Sequence, residues 1–262
     1  MGIIAASRLR ESQIEPSINL FGSLFGSNKW ISGVLAPNGK IYGIPLNSTS
    51  VLVIDPSDNT TYTFGSLESE IDNWRGGVLA SNGKIYGIPF NSKQVLVIDP
   101  SNDTTSLFGS LNGSQKWAGG VLAPNGKIYG IPVNSAQVLE IDPSNNTTSL
   151  FGILSGTNKW RGGVLAPNGK IYGIPLNASD VLEIDPSNNT TNTFGSLQSG
   201  GGKFVGGVSA PNGKIYGIPL NASDVLEISG INIPNVIGND ALIPSPISGL
   251  QSSNYNKFFN KF

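Results

Sequence analysis

The chain has 262 residues, of which only 13% are charged, and its 16 basic and 17 acidic side chains nearly cancel. Without excess positive charge the protein has little to hold a phosphate backbone, so nucleic acid is not expected as a partner. There is no Cys, which excludes disulfides and thiolate metal sites, and no His, which removes the commonest general base and metal ligand. We therefore expect no metal and no cofactor.

An octapeptide, Asn-Gly-Lys-Ile-Tyr-Gly-Ile-Pro, occurs five times without substitution. It fills 38–45, 82–89, 125–132, 168–175 and 212–219, at steps of 44, 43, 43 and 44 residues. A fixed period of this size is typical of repeat proteins, in which each unit buries its apolar faces against its neighbours. The repeats therefore predict one continuous array.

Each repeat predicts four short strands, as the fourth unit shows in chain order. An apolar run at 160–166 is followed by Pro-Asn-Gly, which favours a hairpin turn, and then by a strand at 170–174 that ends at a proline. The run at 181–184 alternates with the period of a half-buried strand. After an Asp-Pro turn, 190–194 is rich in β-branched residues and predicts the last strand. Four antiparallel strands in a unit of this length describe a β-propeller blade.

The ends of the chain predict how the array closes. Phe-Gly-(Ser/Ile)-Leu ends each of the first four units, and a further copy, Phe21–Leu24, precedes the first unit, whereas the fifth unit has none. We therefore predict an all-β, five-bladed β-propeller of four-stranded antiparallel blades, closed by an N-terminal strand that completes the last blade. The predicted organisation is an N-terminal arm at 1–17, the propeller at 18–229 and a C-terminal extension at 230–262.

The repeat resembles the YVTN-type propeller repeat. In the fourth unit the matching residues are Pro167-Asn-Gly-Lys170, the following Ile-Tyr-Gly-Ile-Pro, Val181-Leu-Glu-Ile-Asp185 and the Asn-Thr-Thr that begins at Asn189. Gly-Ile-Pro stands where the family has Val-Thr-Asn. The family usually has seven blades, and its propellers are mostly scaffolds or interaction modules, so the resemblance implies a blade rather than a particular activity.

Three sets of repeated residues are candidates for a sugar-binding ring. An aromatic residue precedes the first strand, a tyrosine lies in the octapeptide and an asparagine follows it: Trp30, Trp74, Trp117, Trp160, Phe204; Tyr42, Tyr86, Tyr129, Tyr172, Tyr216; Asn47, Asn91, Asn134, Asn177, Asn221. A lectin could stack sugars on such rings. The competing interpretation is structural, with the rings packed between blades and the asparagines capping their own turns.

The acidic residues do not predict a catalytic or metal site. Glu140, Glu183 and Glu227 recur at one position of the third strand, which would place them apart around a ring, whereas a catalytic pair should share a pocket. Asp55, Asp99, Asp142 and Asp185 recur in the Asp-Pro turn, and at the third and fourth of these turns too few carboxylates are present for calcium. We therefore predict that the chain is not an enzyme.

The two unique ends predict contacts with a partner. Apolar and aromatic side chains there need something to bury them: Ile3, Ile4, Leu9, Tyr255, Phe258, Phe259, Phe262. We expect a structural or binding component of a larger assembly, such as a virion surface or tail-associated protein, docked to protein subunits through its termini. The alternative is a lectin for cell-surface glycans with up to five sites. The start lacks the pattern of a cleavable signal peptide, and no apolar run reaches the ~20 residues of a membrane helix, so a virion or extracellular surface assembly is expected without membrane insertion.

Overall fold

The computed structural model describes residues 16–68 and 71–231, which form nineteen strands and no helix. The strands group into five sheets. Sheet 1 contains β1 (Trp30–Leu35), β2 (Ile41–Pro45), β3 (Val51–Asp55) and β4 (Thr60–Phe64). Sheet 2 contains β5 (Trp74–Leu79), β6 (Ile85–Pro89), β7 (Val95–Asp99) and β8 (Thr104–Phe108). Sheet 3 contains β9 (Trp117–Leu122), β10 (Ile128–Pro132), β11 (Val138–Asp142) and β12 (Thr147–Phe151). Sheet 4 contains β13 (Trp160–Leu165), β14 (Ile171–Pro175), β15 (Val181–Asp185) and β16 (Thr190–Phe194), and sheet 5 contains β17 (Phe204–Ser209), β18 (Ile215–Pro219) and β19 (Leu226–Ile228).

Every sheet is an antiparallel meander in sequence order, as the repeat predicts. The Asn-Gly turn closes the first hairpin of each sheet. In sheet 4, Gly169 has a φ of 79°, and its amide donates to the carbonyl of Ala166 at 3.0 Å. The left-handed backbone at this position favours glycine, which explains why the turn sequence ends in it.

Successive sheets pack face to face and converge at their first strands. The inner strands β1, β5, β9, β13 and β17 contact one another in that order. The backbones come close enough there that a Cβ on Gly76 would lie 3.2 Å from the Cα of Gly119. The cores are apolar clusters between neighbouring sheets, so each sheet is stabilised by the sheets before and after it.

The predicted closure of the ring is not found in the described residues. Sheet 5 has three strands, and 17–21, which matches a fourth strand in sequence, is not paired as one. Ile18 and Leu20 are 95% and 92% exposed. The structure therefore has four complete sheets and a fifth partial one, because the last sheet lacks the partner that a local repeat supplies to each of the others.

Candidate functional site

The predicted aromatic ring is largely buried between sheets. Trp74, Trp117 and Trp160 are at most 3% exposed, and the fifth-unit aromatic, Phe204, is 4% exposed. Each indole donates to a backbone carbonyl of its own sheet, for example Trp117 Nε1 to Gln137 O at 2.9 Å. Trp30, in the first sheet, is half-buried. The indole polar group is thus satisfied and the ring area is used in packing, which favours the structural interpretation of these residues.

The predicted asparagines join each sheet to the next, and the tyrosines of the first three sheets do the same. The hydroxyl of Tyr129 lies 3.1 Å from Asn189 Oδ1 in the following sheet. The side-chain oxygen of Asn134 accepts a hydrogen bond from the amide of Asn158, also in the following sheet, at 2.7 Å. Four tyrosines, Tyr42, Tyr86, Tyr129 and Tyr172, are at most 2% exposed. The hydroxyl groups of Tyr42, Tyr86 and Tyr129 reach the following sheet, whereas that of Tyr172 bonds to Asn168 and Glu183 of its own sheet.

The repeated glutamates are held by lysines of their own sheets. Lys127 Nζ lies 2.9 Å from Glu140 Oε1, and the same pairing joins Lys170 to Glu183 and Lys214 to Glu227. Burial alone would raise the pKa of Glu140, but hydrogen bonds from Lys127, Asn189 and Ser149 bring that pKa below its usual value. A carboxylate kept ionised in this way stabilises the sheet and is a poor proton donor at neutral pH.

A pocket of about 120 Å³ lies between sheets 2, 3 and 4. Three equivalent positions from each sheet line it: the residue two before the inner strand, the second residue of that strand, and the residue after the second strand. The lining residues are Asp72, Arg75, Phe90, Gln115, Ala118, Val133, Asn158, Arg161 and Leu176. The wall is therefore apolar on one part and polar or positively charged on another, as in many small-molecule sites.

We call this space the axial pocket, and its positive charge comes from two arginines, Arg75 and Arg161. Arg75 Nη2 lies 2.8 Å from Asp72 Oδ2, and its guanidinium carbon lies 4.0 Å from the centroid of the Phe90 ring. These contacts fix Arg75, while its Nε is buried without a hydrogen-bond partner among the described residues. Arg161 has no ion pair with any described residue. Burial, and to a lesser extent the charge of Arg75, lower the pKa of the Arg161 guanidinium.

The pocket can therefore bind an anion. Asp72 balances one of the two positive charges and the other remains, in surroundings where a charged hydrogen bond is stronger than in water. Gln115 and Asn158 add neutral polar side chains at the same wall. In sheet 3 the position of the arginines is occupied by Ala118, which lines the pocket and packs with Phe90 and Val133.

None of the pocket residues was among the sites predicted from the sequence. A signal was present, because the second residue of the inner strand changes between units while its neighbours are nearly constant: Ile31, Arg75, Ala118, Arg161, Val205. A position that departs from the repeat is where a unique site can form. The predicted asparagines do lie beside the pocket, since Asn91 and Asn134 accept hydrogen bonds from the amides of Gln115 and Asn158.

The remaining sequence predictions concern a metal site, a membrane helix and the residues that contact a partner. Within 16–68 and 71–231, no group of three or more acidic side chains is arranged to hold a metal ion. The same residues contain no helix of the length and hydrophobicity needed to span a bilayer. The predicted partner-docking residues lie outside the described residues: Ile3, Ile4, Leu9, Tyr255, Phe258, Phe259, Phe262.

The sequence matches no family model and no curated protein, but the fold matches solved structures. A streptogramin B lyase is similar with a TM-score of 0.62 and 14% identity, over 72% of this chain and 62% of that one. The virginiamycin B lyase of Staphylococcus aureus gives a TM-score of 0.63 at 12% identity, over 79% and 71%. An auxiliary nutrient binding protein from Bacteroides ovatus gives 0.53 at 12% identity, over 78% and 56%. The chain thus spans roughly half to three-quarters of these proteins.

These similarities identify the class of fold as a β-propeller repeat array and confirm the blade-level resemblance. They also correct one prediction. The sequence predicted that the chain is not an enzyme, and that prediction is contradicted, since solved structures with this fold include lyases. The absence of His and of a paired-acid pocket does not exclude catalysis, because other groups can also act as acids and bases. At 12–14% identity the likeness shows the fold alone.

Proposed function

We propose that this protein is a binding β-propeller that holds a small anionic ligand, bearing a carboxylate or phosphate group, in the axial pocket. The observation that carries the proposal is the pair Arg75 and Arg161, directed into one pocket that contains a single carboxylate. Arg75 is braced by Asp72 and Phe90, so it is already oriented before a ligand arrives. Arg161 supplies the uncompensated charge, and Val133 and Leu176 supply an apolar wall for the rest of the ligand.

The test is ligand-dependent thermal stability with succinate and inorganic phosphate as probes and glucose as an uncharged comparison. A ligand that binds only the folded state raises the midpoint of unfolding, so we expect a rise with at least one anion and none with glucose. Arg161→Ala should weaken anion binding about 10- to 100-fold, which is the effect of losing a charged hydrogen bond. Lys93→Ala is the matched control, because it removes one positive charge that does not line the pocket.

A variant that fills the pocket tests the site without removing any positive charge from the protein. Ala118→Arg adds a large side chain at a position that lines the pocket, so it should fill the space and abolish binding although it adds positive charge. Equal anion affinity in the wild type, Arg161→Ala and Ala118→Arg would show that the anion binds outside this pocket and would rule the proposal out.

A second candidate function is that of a component in a larger assembly, such as a virion surface. The observation that favours it is apolar surface left open at the two ends of the array, where Ile218 is 45% and Leu35 is 46% exposed. Docking of the protein to other subunits through the segments 1–17 and 230–262 stays a proposal. The lectin alternative has less support, because its tryptophans and tyrosines are mostly buried. A five-bladed ring closed by its own N-terminal strand also stays a proposal, as one way in which the open ends could be covered.

A further inference from the structure

Neighbouring sheets meet through one repeated contact. An isoleucine of the second strand inserts over a glycine in the inner strand of the next sheet, so that a Cβ on Gly120 would lie 2.5 Å from Ile88 Cδ1 and one on Gly163 would lie 2.5 Å from Ile131 Cδ1. All four inserted isoleucines are 0% exposed: Ile44, Ile88, Ile131, Ile174. The side chain fills a space that only glycine leaves open, which fixes how one sheet seats on the next.

The same junction has a polar part. Asn82 Nδ2 donates to the carbonyl of Pro143 in the following sheet at 3.0 Å, and the hydroxyl of Tyr86 lies 2.9 Å from Asn146 Oδ1 of that sheet. In the other direction, Lys159 Nζ donates to the carbonyls of Val133 and Ser135 in the preceding sheet, at 3.1 and 2.8 Å. Each sheet therefore presents one set of groups forward and a different set backward.

The last sheet presents its forward set with nothing against it. Ile218, the isoleucine that should insert, is 45% exposed, and Val208 and Val225 are 42% and 61% exposed. The hydroxyl of Tyr216 has hydrogen bonds only within its own sheet, to Asn212 and Glu227, among the described residues. Elsewhere this hydroxyl reaches the Asp-Pro turn of the following sheet, which sheet 5 does not offer to Tyr172 but sheet 1 has at Asp55-Pro56. In addition, β19 has no fourth strand beside it.

The first sheet exposes the groups that elsewhere face the preceding sheet, and among the described residues no sheet packs against them. Gly33 occupies the position that receives an isoleucine elsewhere, yet it is exposed and its nearest neighbour is Ile41 of its own sheet. Ile41 and Ile54 are half-buried, whereas their counterparts in the inner sheets are fully buried. Lys29 Nζ donates to Leu24 O alone among the described residues, where Lys159 also binds the preceding sheet. The segment 17–21, which matches a fourth strand, is exposed, and it is followed by Gly22, on which a Cβ would lie 2.7 Å from Thr61 Oγ1 of this sheet.

We propose that the last sheet of one copy docks on the first sheet of a second copy of this chain, head to tail. Ile218 then inserts over Gly33, as its equivalents do at the four internal junctions. Asn212 and Tyr216 donate to Pro56 O, as their equivalents do at the first three junctions, where the following sheet has an Asp-Pro turn. The 17–21 segment of the second copy supplies the fourth strand that β19 lacks, in the register Asn19 opposite Glu227. This inference rests on the second candidate function, that of a component in a larger assembly, and it names a second copy of this chain as the partner.

The structure favours a second copy over closure of one chain on itself. The two end faces belong to the same described body and both are open to solvent, so they do not meet at the observed curvature. The array has the fold of lyase chains that are longer than the matched part, because this chain spans 62% to 73% of them. Its curvature therefore corresponds to a part of a longer array. Closing one chain would require the junctions to bend further, whereas docking a second copy repeats an apolar contact already made four times and a polar contact made three times. A net charge of −1 opposes self-association very little. Because the two surfaces differ, the contact is heterologous and builds a larger ring or a filament.

The first test uses the absence of native cysteine. The internal pair equivalent to Asn19 and Glu227 is Ser149 and Glu140, which lie directly opposite each other on neighbouring antiparallel strands. The Cα and Cβ atoms of such a pair are near the separations that a disulfide spans, so cysteines there can join. We expect an oxidised equimolar mixture of the single variants Asn19→Cys and Glu227→Cys to give a linked dimer on a non-reducing gel, and each variant alone to give little. A mixture that stays monomeric, while the double variant forms an internal disulfide, would establish closure within one chain and overturn the proposal.

The second test measures mass in solution by light scattering over a range of concentrations. We expect the wild type to exceed the 27.4 kDa of one chain in a concentration-dependent way, and Ile218→Asp to reduce it to 27.4 kDa. Ile153→Asp is the matched control, because Ile153 is 97% exposed and lies away from both end faces. A wild type that remains at 27.4 kDa at every concentration would also overturn self-docking. Ligand binding in the axial pocket is read separately, by the effect of succinate and phosphate on Tm, so either proposal can fail alone.

Discussion

Tyr129 shows how a single hydroxyl group serves two sheets. It lies 3.3 Å from Glu140 Oε2 in its own sheet and 3.1 Å from Asn189 Oδ1 in the next. The ring is fully buried and packs edge-on against Phe151 at a centroid distance of 6.0 Å. Tyr216 has the same sequence surroundings but no following sheet, and its hydroxyl reaches only its own sheet.

Tyr129→Phe and Tyr216→Phe should therefore differ although they are the same substitution. Removing the hydroxyl of Tyr129 takes a buried polar group out of the contact with Asn189 in the next sheet, so we expect a loss of about 1–2 kcal/mol in the free energy of unfolding. At Tyr216 the partners are exposed to water, and the loss should stay within about 0.5 kcal/mol. Urea unfolding followed by tryptophan fluorescence measures both. Equal losses would mean that the contact between sheets does not stabilise the array.

At the scale of elements, the junction between sheets is controlled by the size of one side chain. Gly163→Ala would place a methyl group 2.5 Å from Ile131 Cδ1, too close for the two to coexist without movement. We expect a loss of about 1–3 kcal/mol in stability from this overpacking. Gly33→Ala is the matched variant. It has no inserted isoleucine in the described structure and meets only Ile41 Cγ2, at 3.0 Å, so it should cost less. Thermal unfolding by circular dichroism distinguishes the two, and a larger loss at Gly33 would contradict this account.

The strands could be predicted from the sequence because their signals are local. Asn-Gly turns, the stop at proline and the alternation of 181–184 lie within a few residues of the strands they define, and the observed bounds differ by about one residue. The position of 17–21 could not be predicted in the same way, because its predicted partner, β19, is about 200 residues away and the curvature of the array decides whether the two meet. The axial pocket was also missed, since Arg75 and Arg161 are distant in sequence and only packing brings them to one space.

For the whole molecule, buried ionisable groups predict an unusual response to alkaline pH. Burial lowers the pKa of Lys159 from 10.5 to about 8, so the unfolded chain binds more protons between these values and stability should rise with pH across them. Burial is also the main cause that raises the pKa of Tyr42 and Tyr129 from 10 to about 12. Between pH 10 and 12 the folded state therefore binds more protons than the unfolded chain, so the free energy of unfolding should fall as the pH rises.

Urea unfolding at pH 7, 9.5 and 12 tests this dependence. We expect the midpoint to be highest near pH 9.5, and Lys159→Met to remove much of the rise from pH 7 while the decline towards pH 12 remains. A midpoint that falls steadily from pH 7 upward would contradict the assignment to Lys159.

The identity of the octapeptides has a consequence for how such a chain can change over generations. Each of the four junctions uses the same isoleucine and glycine, so a sheet placed after any other sheet finds a surface that fits it. Recombination between two copies of the repeat, which would add or delete about 43 residues, would leave every remaining junction intact. The number of sheets is therefore free to drift in whole steps, while the arginines of the axial pocket, which occur in sheets 2 and 4 alone among the repeats, would be lost or duplicated by such an event.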